Sequence, residues 1–237
     1  MVAIGGNVNT TVIAPLLMMA SLPVMAETIN FDQDAVASTP SGWTAGVTGR
    51  GTPKWAIEVD PTAPSAPNVL KQSGAGTFPW CVKSGTALTE GMVEVKFKPI
   101  SGKEDQAGGL VWRWKDGDNY YVARANALEN NISLYYTTGG RRNTIKYVSA
   151  PVARNVWHML RVDFGGKRIA VTLDGKTYID LEDEHIAGPG AVGVWTKADS
   201  VTAFTTSLTG RRYRNDVRGE ARRTPRRTPL ETPGDKP

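Results

Sequence analysis

Hydrophobic and polar residues alternate in short runs along most of this chain. In residues 91–99 (GMVEVKFKP), Val93, Val95 and Phe97 fall on one face and Glu94, Lys96 and Lys98 on the other. That period of two is the mark of a half-buried β-strand. Residues 157–164 repeat it, with His158, Leu160, Val162 and Phe164 opposite Met159, Arg161 and Asp163. Residues 109–114, 120–126 and 132–137 predict a meander, punctuated by turns at Asp116-Gly117 and Gly139-Gly140. Residues 168–173 and 176–181 flank Asp174-Gly175. That dipeptide accepts the positive φ angles of a two-residue hairpin turn. Residues 191–196 and 201–208 close the series, and weaker strands are predicted at 28–31, 55–59 and 69–72. No segment from 27 to 210 carries the period of an amphipathic helix, and the Pro-rich residues 60–67 read as a surface loop. Many short strands at roughly 8–12-residue spacing predict an all-β fold, a two-sheet antiparallel sandwich or jelly roll.

The two ends depart from this pattern. Residues 11–26 read TVIAPLLMMASLPVMA, uncharged and apolar, with Val24 and Ala26 as small residues at a cleavage point. A secretory signal peptide over residues 1–26 is expected, although no Lys or Arg precedes its apolar run. The stretch is shorter than the span of about 20 residues that crosses a bilayer, so no transmembrane segment is expected in the mature chain. The mature protein is expected to be periplasmic or secreted. Of the 28 cations and 23 acids in the 237 residues, nine and four lie in residues 211–237, which leaves 19 of each in residues 1–210. The whole net charge of +5 therefore belongs to a tail, with the tandem repeat Arg222-Arg223-Thr224-Pro225 and Arg226-Arg227-Thr228-Pro229. Such a segment has too few apolar residues to offset its ordering entropy and is expected to be disordered. Its positive charge suits an anionic envelope surface. The body, residues 27–210, is charge-balanced, so no specific nucleic-acid partner is expected of it.

Composition narrows the reading further. Apolar residues make up 40% and charged residues 22%, which supports a packed core and excludes wholesale disorder. Cys81 is the single cysteine, so no intrachain disulfide forms, and its neighbours Phe78, Pro79, Trp80 and Val82 make it a core residue. His158 and His185 are the two histidines, too few for a multi-histidine zinc site. Asp116-Gly117-Asp118-Asn119 offers oxygen ligands that calcium accepts, yet it lacks the ligand count of a dedicated site. It reads as an acidic turn, and no cofactor is expected.

Residues 107–114 (AGGLVWRW) and 118–126 (DNYYVARAN), with 155–162 (NVWHMLRV), 173–176 (LDGK) and 193–200 (GVWTKADS), carry a resemblance. The chain resembles the concanavalin A-like lectin and glucanase superfamily over roughly residues 27–208. Within it the chain is similar to laminin-G-like jelly rolls of exported bacterial proteins, some of them grouped near the 3-keto-disaccharide hydrolase-like domains. The resemblance implies two curved antiparallel sheets, neighbouring first and last strands, and carbohydrate as the commonest ligand class. It does not imply activity, because one fold hosts many functions. Laminarinase-type members carry Glu-x-Asp-x-x-Glu or Glu-x-Asp-x-Glu on one strand face. Here Glu58-Val59-Asp60 begins such a motif, but Pro61 ends the strand and no second Glu follows. Glu182-Asp183-Glu184 are consecutive, so they point to opposite faces of a strand or lie on a loop. Neither arrangement supplies the carboxylate pair about 5–5.5 Å apart that a retaining glycosidase needs.

The meander concentrates residues that suit sugar recognition, where rings cover apolar sugar faces and forked donors fix hydroxyls. With a turn over residues 115–118, alternation groups Arg113, Tyr120, Arg124 and Asn126 on one face, and Trp112, Trp114 and Tyr121 on the other with Leu110 and Ala123. The first group reads as a polar, aromatic-lined surface and the second as core. Trp195 and Lys197 project together from a later strand, which the topology implied by the resemblance brings toward the same hollow face. A competing reading is that Arg113 and Arg124 pair with acids such as Glu129 or Asp199 as a polar scaffold. The expected function is that of an exported, non-catalytic carbohydrate-binding module, using Arg113, Tyr120, Arg124, Asn126, Trp195 and Lys197. A hydrolase or lyase acting on 3-keto-glycosides and a structural envelope protein held by its basic tail are the alternatives.

Overall fold

The computed structural model describes residues 26–65 and 67–210. The expected leader lies outside the described residues except for Ala26, and the expected tail lies wholly outside them.

The described residues form β1 (Ala26–Ile29), β2 (Trp43–Thr52), β3 (Trp55–Val59), β4 (Asn68–Gln72) and β5 (Ala75–Leu88). Then come β6 (Gly91–Ser101), β7 (Ala107–Asp116), β8 (Asn119–Asn126), β9 (Asn131–Thr138) and β10 (Arg141–Ser149). The series ends with β11 (His158–Gly165), β12 (Arg168–Leu173), β13 (Lys176–Glu182), β14 (Gly190–Trp195) and β15 (Val201–Gly210). No helix occurs among the described residues, and none is long and apolar enough to cross a membrane.

Two antiparallel sheets face each other. One runs β13-β12-β11-β6-β15-β4-β3, with β1 also paired to β15, and the other runs β10-β9-β8-β7-β14-β5-β2. The first and last strands are neighbours, Ala26 standing opposite Gly210. The alternating runs do what their period dictates. Val93, Val95 and Phe97 of β6 and Leu160, Val162 and Phe164 of β11 turn inward, where they meet Leu110, Trp112, Tyr121, Ile132, Leu134 and Val194 of the facing sheet. Trp112 and Tyr121 stack at 5.2 Å and 13°. Such an aromatic pair adds about 0.5–1.5 kcal/mol beyond its buried area. Between β12 and β13, Asp174 (φ 49°) and Gly175 (φ 81°) both take the left-handed region, as the hairpin requires.

Three strands were not predicted by alternation: β2, β5 and β10. β2 and β5 contain Gly46, Gly49, Gly51, Gly76, Pro79 and Gly85, residues that ordinarily mark turns. β10 is a sheet edge that is mostly exposed, so it lacks a buried face to give it a period.

The seven-stranded sheet is rolled. Tyr120 on β8 hydrogen-bonds through its hydroxyl to Thr48 Oγ1 on β2 at 2.7 Å, although four strand spacings separate the two in the sheet order. A flat sheet would hold them about 19 Å apart. Arg142 on the β10 edge likewise lies 4.5 Å from the ring of Phe78 on β5, five spacings away. The register of β2 slips between Thr48 and Gly51, and Gly51 sits at φ 128°, a conformation that releases the strand to bend over the hollow. The concave side therefore closes into a second core of Trp80, Val82, Val111, Tyr120, Val122, Tyr135 and Trp195.

Candidate functional site

Of the six residues expected to bind ligand, Arg113, Tyr120, Arg124, Asn126 and Trp195 are buried, at 3%, 0%, 2%, 0% and 0% exposure. The expectation of a solvent-facing surface built from these five is corrected by the structure. Arg113 also leaves the face assigned to it. The four residues expected between β7 and β8 are not all in the turn: Asp116 pairs with Asn119, and the excess forms a bulge between Trp112 and Asp116. Arg113 sits in that bulge at φ 46°. A bulge re-aims the side chains that follow it. The Arg113 guanidinium donates to the carbonyls of Ile186 (2.9 Å), Gly166 (2.8 Å) and Thr89 (3.3 Å), and lies 5.7 Å from the Phe164 ring. Trp114 is turned the other way, onto Trp80 at 5.3 Å.

Arg124 and Asn126 converge on Asp105, which is wholly buried. Arg124 donates to Asp105 (3.3 Å), Glu129 (2.7 Å) and Asn131 (2.9 Å), and Asn126 Nδ2 donates to Asp105 at 2.9 Å. Burial raises the Glu129 carboxyl, but hydrogen bonds from Asn131 and Arg124 and the latter's charge outweigh it and hold the group below its usual range. The pairing of Arg124 with Glu129 is the scaffold arrangement; Asp199 is not paired with either arginine, and it binds backbone instead. Burial pushes the Tyr120 hydroxyl up from its ordinary pKa.

Lys197 lies at an open stretch of the hollow. There a trough of about 430 Å³ is lined by Thr77, Phe78, Glu104, Arg142, Lys197 and Asp199, among others. Its base is the half-buried Phe78 ring stacked on the fully buried Trp195 at 5.6 Å and 22°. Arg142 lies across the same rings, 4.3 Å from Tyr135 and 5.8 Å from Trp195. Burial lowers the Arg142 pKa from its usual value, and its Nη1 is buried without a hydrogen-bond partner. Lys197 Nζ donates to Asp105 at 2.6 Å.

The part of the trough lining formed by Glu104, Lys197 and Asp199 is tied down. Asp199 accepts the backbone N–H groups of Lys103 (2.6 Å), Glu104 (2.9 Å) and Asp105 (3.2 Å). Burial raises its pKa, but those three donors outweigh it and the carboxyl lies below its usual range. Ser200 Oγ bridges the Lys197 carbonyl and the Ala107 N–H, and Gly76 N donates to the Ala198 carbonyl at 3.0 Å. A wall held this way loses little freedom when a ligand arrives.

A second hollow, about 230 Å³, lies over β11 to β13 and is lined by Asp163, Arg168, Thr172, Thr177 and Asp180, among others. Arg168 is engaged there by Asp180 at 2.9 and 2.7 Å, and Asp163 by Arg161, so its charges already have partners. The trough offers a half-buried ring and a guanidinium nitrogen without a hydrogen-bond partner, which makes it the better candidate.

The remaining acids and histidines are placed as follows. Glu58 pairs with Lys71 at 2.8 Å and Asp60 with Lys98, both on the sheet that does not carry the trough. In the 116–119 turn, Asp116 Oδ1 accepts from Asp118 N and Asn119 Nδ2, each at 2.8 Å. His158 is buried between Asp174 (2.7 Å) and the Ala153 carbonyl (2.9 Å), a sheet residue with both nitrogens engaged. His185 stacks on Tyr136 at 3.8 Å and meets Asp183 at 2.8 Å. Among the described residues no group of three or more His, Cys, Asp or Glu side chains gathers as a metal site.

Phe78, Arg142, Glu104 and Asp199 are the trough residues that sequence reasoning missed as site candidates. One clue pointed to Arg142. A turn at Gly139-Gly140 after a predicted strand demands a returning strand, and Arg142 is the second residue of it.

No family model and no curated protein matches the chain. Among solved structures it is similar to the carbohydrate binding module CBM66 from Bacillus subtilis, with a TM-score of 0.58 and 21% identity over 70% of this chain and 92% of that one. It is similar to a GH16 protein of the Bacteroides ovatus mixed linkage glucan locus, with a TM-score of 0.53 and 8% identity over 77% of this chain and 99% of that one. It is also similar to the Bacillus licheniformis β-glucanase, with a TM-score of 0.51 and 14% identity over 79% of this chain and 98% of that one. At such identities the likeness speaks to architecture, and the architecture is that of a concanavalin A-like jelly-roll sandwich.

Proposed function

We propose that this chain is a non-catalytic carbohydrate-binding jelly roll whose ligand sits in the trough between Phe78, Arg142 and Lys197. The observation that carries this reading is the Phe78 ring, half-buried and backed by Trp195, beside the donor-bearing Arg142 and Lys197. An aromatic face flanked by forked and ammonium donors matches a sugar, which has an apolar face and a rim of hydroxyls. The fold it shares with a carbohydrate binding module and two glucan-associated proteins supports the same ligand class. The acids that begin a glucanase-like motif, Glu58 and Asp60, are engaged by lysines on the other sheet, which favours binding over hydrolysis. With it we propose export through the leader at residues 1–26 and adhesion of the basic residues 211–237 to an anionic envelope surface.

The test is a glycan-array screen of the full chain, followed by calorimetry on each hit with wild type and Phe78→Ala. Saturable binding that weakens by about tenfold in Phe78→Ala, a loss of about 1.4 kcal/mol, is the expected result. Absence of saturable binding across neutral and acidic glycans overturns the reading.

A further inference from the structure

Three carboxylates stand in or beside the trough with their binding capacity already committed. Asp105 is shared by Arg124, Asn126 and Lys197. Glu129 is taken by Arg124 and Asn131. Asp199 is filled by three backbone N–H groups. Glu104 lies exposed at the rim, where water solvates it. Each buried cation around the trough except one has an acid or carbonyl acceptor. The exception is Arg142, whose guanidinium forms no ion pair among the described residues and whose Nη1 is buried without a hydrogen-bond partner. Its contacts are the rings of Phe78, Tyr135 and Trp195. Contact with ring faces answers the charge in part and leaves the buried Nη1 donor unused. A half-buried guanidinium without an anion is costly, and a planar carboxylate brought by a ligand repays that cost through two parallel hydrogen bonds.

We infer that the saccharide taken by the trough is acidic, a uronic-acid-type glycan whose carboxylate pairs with the Arg142 fork while its ring lies on Phe78. This rests on the carbohydrate-binding reading and narrows it to one ligand class. Lys197 also lines the trough, where its ammonium is bound to Asp105, so the unanswered guanidinium of Arg142 is what selects the acid.

The test compares tetragalacturonate with its fully methyl-esterified counterpart, which keeps the sugar backbone and removes the charge. Calorimetry on the full chain is expected to show the acid binding about tenfold more tightly than the ester. Arg142→Gln is expected to bring the two within about twofold of each other, and Arg142→Lys, which keeps the charge without the fork, to restore part of the gap. Thermal melts establish that both variants are folded, and the wild-type comparison of acid with ester needs no variant. Equal binding of acid and ester by wild type overturns the acidic-ligand proposal and leaves carbohydrate binding standing. So does binding confined to neutral glycans, or an acid preference that survives intact in folded Arg142→Gln. Binding of no glycan of any class overturns both.

Discussion

Asp105→Asn is the most informative single substitution in the scaffold behind the trough. The Asp105 carboxylate is 0% exposed and faces Arg124, itself 3% exposed, at 3.3 Å, with Asn126 Nδ2 at 2.9 Å and Lys197 Nζ at 2.6 Å. Three donors converge on it. An asparagine amide keeps the shape, loses the charge and turns an NH2 group toward some of those donors. Removing one partner of a buried ion pair costs about 3–5 kcal/mol, because the other charge stays behind. Arg124 retains Glu129 and Asn131, which places the expectation at the lower end, about 3 kcal/mol. The Lys197 end is 27% exposed and adds little, since solvent screens it. For a domain of this size each kcal/mol moves the melting temperature by about 2–4 °C, so a drop of about 6–12 °C is expected. Urea unfolding of the full chain, followed by tryptophan fluorescence, measures the loss directly, with Asp180→Asn on the exposed bridge to Arg168 as the control. A midpoint for Asp105→Asn no lower than that of Asp180→Asn would refute the claim that Asp105 is the junction of this network.

Three further expectations follow from burial and geometry. Gly46→Ala builds a Cβ 2.4 Å from Trp80 Cζ2 and Cη2, so overpacking of about 1–3 kcal/mol and a changed near-ultraviolet dichroism are expected, and an unchanged melt counts against the second core. Burial pushes the Cys81 thiol well above its ordinary pKa, so in the native protein at pH 8 it resists a disulfide reagent and reacts only after denaturant is added; rapid native labelling contradicts its placement. The Asp199 carboxyl is held below its unfolded value of 3.8, so its contribution to stability is present above that value and is lost as pH falls through the folded pKa. Asp199→Asn is therefore expected to flatten the acid limb of the stability profile below about pH 4, and a limb as steep as in wild type argues against the three backbone donors.

Strands with a buried and a solvated face were legible in the sequence. β6 and β11 read directly from Val93-x-Val95-x-Phe97 and Leu160-x-Val162-x-Phe164, and the β12–β13 hairpin from Asp174-Gly175. The rolled hollow was not legible, because its signature is long-range. The Thr48–Tyr120 hydrogen bond and the Arg142–Phe78 contact join residues 72 and 64 positions apart through curvature that no local pattern encodes. Nor was the bulge at Arg113, where a non-glycine residue takes φ 46° and reverses the faces of Arg113 and Trp114. Of the candidate site, Lys197 was named from the sequence, while Trp195, its expected companion, lies buried beneath Phe78. Arg142 was not named, since a polar edge strand has no hydrophobic period to reveal it.

In the proposed reading ligand sits in the trough at Phe78, Arg142 and Lys197, while the hollow beside it is packed shut. Amide chemical shifts of isotope-labelled full chain, titrated with the tightest-binding glycan from the array, test it most directly. The expected perturbations cluster at Ala75–Phe78, Glu104, Arg142 and Lys197–Asp199, with Val111 and Val122 unmoved beneath their aromatic cover. Saturable shifts centred on the hollow over β11 to β13, with those trough amides unmoved, contradict it.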